Sequence, residues 1–193
     1  MVKAKSILIV GVGGQGTLLA SKILTQGLME MGFDVKMSEI HGMSQRGGSV
    51  SAHIRYGEKI YSPVISEGEA DILISFEEME TYRWLNYLKP GTGIAIINNY
   101  RLPSAPVLTG QMDYPEDLIE EISEIANAVV VNARDIALEL SFAKSMNIVL
   151  LGALIKIAGL DNMDWENIIR SIVPEKYLEG NLKAFAAGMH SVI

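Results

Sequence analysis

The most constraining stretch of this chain is Ser6-Ile-Leu-Ile-Val10, which runs straight into Gly11-Val-Gly-Gly-Gln-Gly16. An unbroken apolar run closed by glycine reads as a strand covered on both faces, as in a parallel sheet. A helix is expected from about Gln15 to Met31. Leu24, Leu28 and Met31 recur on one face of it, with Leu19 and Ile23 beside them. Gly32 stands where a left-handed cap would end that helix. Asp34 to Ser38 follows as a second strand, completing a β-α-β unit.

The alternation then breaks. Glu39 to Gly48 is rich in turn formers and is expected to be irregular. From Ser49 to Tyr56 the residues alternate, with Val50, Ala52 and Ile54 on one face and Ser51, His53 and Arg55 on the other. That pattern predicts a half-buried strand. Gly57-Glu58 suits a tight hairpin turn, and Lys59 to Ser62 would be the returning strand, stopped by Pro63.

Further strands are expected at Asp71 to Ser75, Gly93 to Asn98 and Ala128 to Asn132, with a helix from Glu77 to Leu88. Pro115 suits a first helical position, with Glu116 and Asp117 in the first turn of a helix ending near Ala126. Helices at about 133–142, 145–159, 164–173 and 177–189 complete the chain. The organisation is α/β: a Rossmann-like, mostly parallel open sheet with a β-hairpin insertion and a helical C-terminal part from about 133 to 193. One domain spanning 1–193 is expected, since no repeat, linker or low-complexity segment interrupts it.

Composition excludes several classes of function. Hydrophobic residues make up 49% of the 193 positions, which rules out a disordered chain. There is no cysteine, so thiolate-ligated clusters, cysteine zinc sites and thiol nucleophiles are excluded from this chain. The absence of cysteine also agrees with a reducing cytoplasm. A net charge of −7 without a basic cluster argues against nucleic acid as a partner. The longest apolar run, Asn147 to Leu160, carries Lys156 and is too short to span a bilayer. No signal peptide is evident, because Met1 to Lys5 leads directly into the first strand. A positive mean hydropathy of +0.23 without a membrane span points to hidden surface, ordinarily a subunit interface.

Two segments carry chemistry. Gly11, Gly13 and Gly16 satisfy the G-x-G-x-x-G spacing between a strand and a helix, with Gly14 and Gln15 inside it. Glycines let a ligand approach the backbone, and free N–H groups at a helix start attract an anion. Two readings stay open: a dinucleotide seat, with Glu39 placed to bind ribose hydroxyls, or a tight turn that only lets helix and sheet pack closely. The Gln15 amide either bonds a ligand or caps the turn.

The second segment is His41-Gly-Met-Ser-Gln-Arg-Gly-Gly48, expected at the carboxyl edge of the sheet, where ligands of open α/β folds bind. Arg46 offers a bidentate clamp, Gly47 and Gly48 permit a nest of N–H groups, and Ser44 and Gln45 add polar contacts. The alternative is a structured connection. His53 is expected to contact a covering element, and His190 to be solvated. Three scattered histidines make no metal site, and no catalytic residue can be named from spacing.

Together, Gly11 to Gly16, Ser38 to Ser49, Tyr61-Ser-Pro63 and Gly68 to Glu77 resemble the gamma-type domain of the 2-oxoacid:ferredoxin oxidoreductases. The His-Gly-Met-Ser-Gln-Arg-Gly-Gly form is most similar to the beta subunit of the indolepyruvate branch. The resemblance implies an accessory subunit in the oxidative decarboxylation of an aryl-pyruvate such as indolepyruvate, a step of anaerobic metabolism. It implies coenzyme A as co-substrate, with electrons passed to ferredoxin. It also implies that this chain binds no cofactor alone. Thiamine diphosphate, its divalent metal and the iron–sulfur clusters would sit in a larger partner subunit. The glycine turn (Gly11, Gly13, Gly14, Gln15, Gly16) and the loop Ser44, Gln45, Arg46, Gly47, Gly48 become a candidate wall of the active-site cleft or a seat for the coenzyme A phosphates. Glu39 then loses its ribose role. The competing reading is an independent NAD- or flavin-binding dehydrogenase.

Overall fold

A computed structural model describes residues 4–41, 47–103 and 105–192. Among them, β1 (Lys5–Val12), β2 (Asp34–His41), β3 (Ser49–Gly57), β4 (Ile72–Ser75), β5 (Ile94–Asn98) and β6 (Asn127–Val131) form one sheet in the order β2-β3-β1-β4-β5-β6. β1, β4, β5 and β6 pair in parallel. β3 lies antiparallel to both β1 and β2, so it alone runs against the rest. The fold is the α/β, mostly parallel arrangement expected from the sequence.

The helices are α1 (Thr17–Glu30), α2 (Glu78–Trp84), α3 (Ala105–Leu108), α4 (Leu118–Ile125), α5 (Ala133–Glu139), α6 (Met146–Ile157), α7 (Trp165–Ile172) and α8 (Glu175–His190). Ile7 and Ile9 of β1 pack into a large cluster with α1 and the C-terminal helices. Leu8 and Val10 point the other way, into a smaller cluster with Leu73, Leu88, Ile97 and Ile122. These four β1 side chains are at most 1% exposed. Burying such a side chain contributes roughly 1.5–3 kcal/mol. That anchors the strand and, with it, the glycine turn at its end.

Gly32 follows α1, with its N–H on the Met29 carbonyl and that of Phe33 on Leu28. This pair of bonds is the expected Schellman cap. α6 and α8 cross at backbone contact. A Cβ at Gly188 would stand 1.9 Å from the Val149 carbonyl oxygen, so only glycine fits there. This crossing holds the start of α6 against the glycine turn.

Four local expectations are corrected. The hairpin forms between β2 and β3, not between β3 and a strand at Lys59–Ser62, which is not extended pairing at all. Both edges of β3 are already taken, by β1 and β2, so no edge is left for a third strand. The chain just beyond it instead crosses the polar face of β3. His53 Nδ1 accepts the Ile65 N–H at 3.2 Å, and Arg55 donates to the Val64 carbonyl at 3.3 Å. β3 is therefore covered on both faces rather than half-buried, with Ser51 and His53 each 4% exposed. β2 runs on to His41, so the irregular loop starts later than Glu39. Finally, Pro115 does not open a helix. α4 begins at Leu118 after Asp117, whose φ of 59° breaks the helical path, and the acids of its first turn are Glu120 and Glu121.

No helix among the described residues is long and apolar enough to cross a membrane.

Candidate functional site

The glycine turn ends β1 at the carboxyl edge of the sheet and opens α1. Gly14 and Gly16 have φ of 104° and 85°. At Gly16 this is doubly restrictive, because a Cβ would stand 2.5 Å from Asn147 Nδ2. Asn147, at the start of α6, donates to the Gly16 carbonyl at 3.1 Å. Gln15 is held within the fold. Its Oε1 accepts the Val12 N–H at 2.7 Å, and its Nε2 donates to the Phe76 carbonyl at 3.0 Å. The side chain thus ties the end of β1 to the end of β4.

α1 starts without a capping side chain and without an acid in its first turn. The first intrahelical acceptor is the Gly16 carbonyl, bonded by Ala20. The N–H groups of Gly14, Gly16, Thr17 and Leu18 have no acceptor among the described residues. Such orphaned donors at the positive end of a helix form an anion-receptive surface.

The second motif meets the first directly. The Gly13 N–H donates to the Gly48 carbonyl at 2.8 Å, and the Gly47 N–H donates to the Gly13 carbonyl at 3.2 Å. Ser44, Gln45 and Arg46 lie outside the described residues, as does the side chain of His41. Beside the joined turns opens a cleft of about 440 Å³, lined by Gly13, Gly14, Gly16, Thr17, Leu18, Glu39 and β3 residues 50–52. Glu39 is the one charged residue among these described lining residues, and its Oε1 is shielded without a hydrogen-bond partner among the described residues. The insertion of β3 puts a whole strand between β1 and the β2 strand that carries Glu39.

After β4, α2 brings buried carboxylates to the same edge of the sheet. Glu77 caps α2 by accepting the Glu80 N–H. It also accepts the Leu102 N–H at 3.1 Å and the Tyr114 hydroxyl. Burial pushes the Glu77 carboxyl above its usual range, against the lowering effect of those donors. Glu80 accepts the Ser49 hydroxyl and, at 3.2 Å, Arg83 Nε. Glu78 pairs with Arg101 at 2.8 Å.

Sequence reasoning missed Asn147, Glu77, Glu80 and Ser49. Asn147 acts 131 positions away from the turn it braces, and no local pattern announces that. His53 contacts the covering segment as expected, and burial lowers its pKa. No group of three potential metal ligands converges among the described residues.

The family model for pyruvate ferredoxin/flavodoxin oxidoreductases matches residues 6–191. The chain belongs to this family. It is 38% identical to the indolepyruvate oxidoreductase subunit IorB of Pyrococcus horikoshii, across 97% of this chain and 96% of that protein. Its fold matches the keto/oxoacid ferredoxin oxidoreductase gamma subunit of Geobacter sulfurreducens, with a TM-score of 0.71, 21% identity and 97% of each chain covered. It also matches a 2-oxoglutarate:ferredoxin oxidoreductase of Magnetococcus marinus, solved with 2-oxoglutarate, coenzyme A and succinyl-CoA, at a TM-score of 0.78 and 21% identity. There 97% of this chain aligns with 31% of the longer chain. Family members are thus subunits or segments of multi-part oxidoreductases, and this chain is such a subunit.

Proposed function

We propose that the chain, as a single gamma-type domain, is the accessory subunit of an oxidoreductase that decarboxylates an aryl-pyruvate such as indolepyruvate. The products are the acyl-CoA, carbon dioxide and reduced ferredoxin. The likeness to the indolepyruvate oxidoreductase subunit along nearly its whole length supports that substrate class. In such a complex, thiamine diphosphate supplies the carbanion chemistry and iron–sulfur clusters carry the electrons. This chain has no cysteine and does not fit a thiolate-ligated cluster. Those groups are therefore assigned to the larger partner subunit.

The role we assign to this chain is to seat coenzyme A. The observation that carries the reading is the hydrogen-bonded union of both glycine motifs beside an open cleft. The free N–H groups of Gly14, Gly16, Thr17 and Leu18 would hold a phosphate at the start of α1. Gly11, Gly13, Gly47 and Gly48 keep the backbone close, and Gln15 braces the turn from within. A cleft of about 440 Å³ is within the size range of small-molecule sites. Ser44, Gln45 and Arg46 precede Gly47 in sequence and are proposed as the mobile coenzyme's further contacts, with Arg46 on its phosphates.

One observation favours a second reading. Glu39 lines the same cleft as the glycine turn, as an acid does in dinucleotide sites. Calorimetry on the isolated chain separates the two. Coenzyme A heat with none from NADH supports the accessory-subunit reading. Micromolar NADH binding lost in Glu39→Ala supports an independent dehydrogenase.

A further inference from the structure

We infer that Glu80 is a positioning residue, which fixes the wall of the cleft through Ser49. This rests on the reading of the cleft as a coenzyme seat.

Glu80 is 5% exposed in α2, which follows β4 at the carboxyl edge of the sheet, and it is not among the described residues that line the cleft. One of its oxygens accepts the Ser49 hydroxyl and the other accepts Arg83 Nε. The Trp84 indole N–H points at the same serine oxygen, at 3.5 Å. The Glu80 backbone N–H is itself fixed by Glu77 at 3.0 Å. Ser49 is exposed, and water would satisfy its hydroxyl equally well. Keeping a carboxylate out of water is costly, and a surface serine does not require it. The arrangement makes sense for what Ser49 begins.

Ser49 is the first residue of β3, and residues 50–52, which follow it, line the cleft. Gly47 and Gly48, which precede it, carry both hydrogen bonds to Gly13. The Ser49–Glu80 bond therefore pins the short arm that joins the two glycine motifs, and pins it to α2 rather than to the cleft itself. Releasing it leaves the chemistry untouched, because the reacting groups belong to the partner subunit. What changes is the geometry of the seat, so the effect falls on coenzyme affinity.

The test is steady-state kinetics of 2-oxoacid-dependent ferredoxin reduction by the assembled complex. Ser49→Ala is expected to raise KM for coenzyme A about fivefold, the scale of one lost hydrogen bond, while kcat falls less than about twofold. Ser49→Thr keeps the hydroxyl and restores KM. Leu18→Glu, on the half-exposed cleft wall, puts a carboxylate beside the phosphates and reports on the seat itself. If Leu18→Glu raises KM and Ser49→Ala does not, the positioning role is wrong and the seat stands. If Ser49→Ala lowers kcat at constant KM, its role is only structural and the inference falls. If neither substitution moves KM, the coenzyme reading fails and takes this inference with it.

Discussion

Gln15→Met isolates the role of the side chain that braces the glycine turn from within. Methionine keeps the length and volume of the side chain but removes both hydrogen-bonding ends. Two bonds disappear, Val12 N–H to Oε1 at 2.7 Å and Nε2 to the Phe76 carbonyl at 3.0 Å. Val12 is 7% exposed, so its N–H is left without a replacement partner. Two net hydrogen bonds of about 1 kcal/mol each, plus part of the penalty for a stranded donor, give about 2–4 kcal/mol. For a chain of this size that lowers the melting temperature by about 5–15 °C. Circular-dichroism melts of the isolated chain, backed by a urea titration, measure it. Coenzyme A binding by the folded variant should stay near the wild-type value. A variant that melts within about 1 °C of wild type and yet loses coenzyme binding would refute the reasoning, since the amide would then be a ligand contact and not a brace.

Two further outcomes follow from the same geometry. Glu39→Gln removes a negative charge from the cleft wall without changing its shape, so affinity for pyrophosphate and coenzyme A, read by calorimetry, should rise about threefold at low salt. A fall in coenzyme A affinity would mean that Glu39 accepts a ligand hydroxyl. His53 is buried and its pKa is lowered, so the unfolded chain takes up its proton first on acidification. Stability from this group is complete above pH 6.5 and is lost as pH falls from there toward the lowered folded pKa. His53→Asn keeps an acceptor for the Ile65 N–H, and melts between pH 7 and 5 should show a shallower decline than in wild type. An unchanged decline would place its cause in another group.

The first half of the fold was legible because its signals are local. The apolar run of β1, the glycines after it and the Gly32 cap lie within one β-α-β span, and each is decided by burial or backbone conformation nearby. The helical end was likewise readable to within a few residues, as α6 and α8 keep long apolar patterns. The hairpin was misassigned because Gly57-Glu58 is a plausible turn by local chemistry. What decides the pairing is that β1 and β2 both claim β3, a tertiary fact. Pro115 failed for a similar reason, since Tyr114 just before it is tethered to Glu77, a contact from 37 positions away that local chemistry does not announce. At the site, the two motifs were visible, but their direct bonding through Gly13, Gly47 and Gly48 was not. Nor were the remote braces Asn147 and Glu80, which act through contacts that spacing does not encode.

The direct measurement is ferredoxin reduction driven by indolepyruvate and coenzyme A, with this chain alone, the proposed larger partner alone, and the two combined. The account predicts turnover only in the combination, with acyl-CoA formed in step with reduced ferredoxin. Reduction of a nicotinamide by the solitary chain at an enzymatic rate, or full activity of the partner without it, would contradict it.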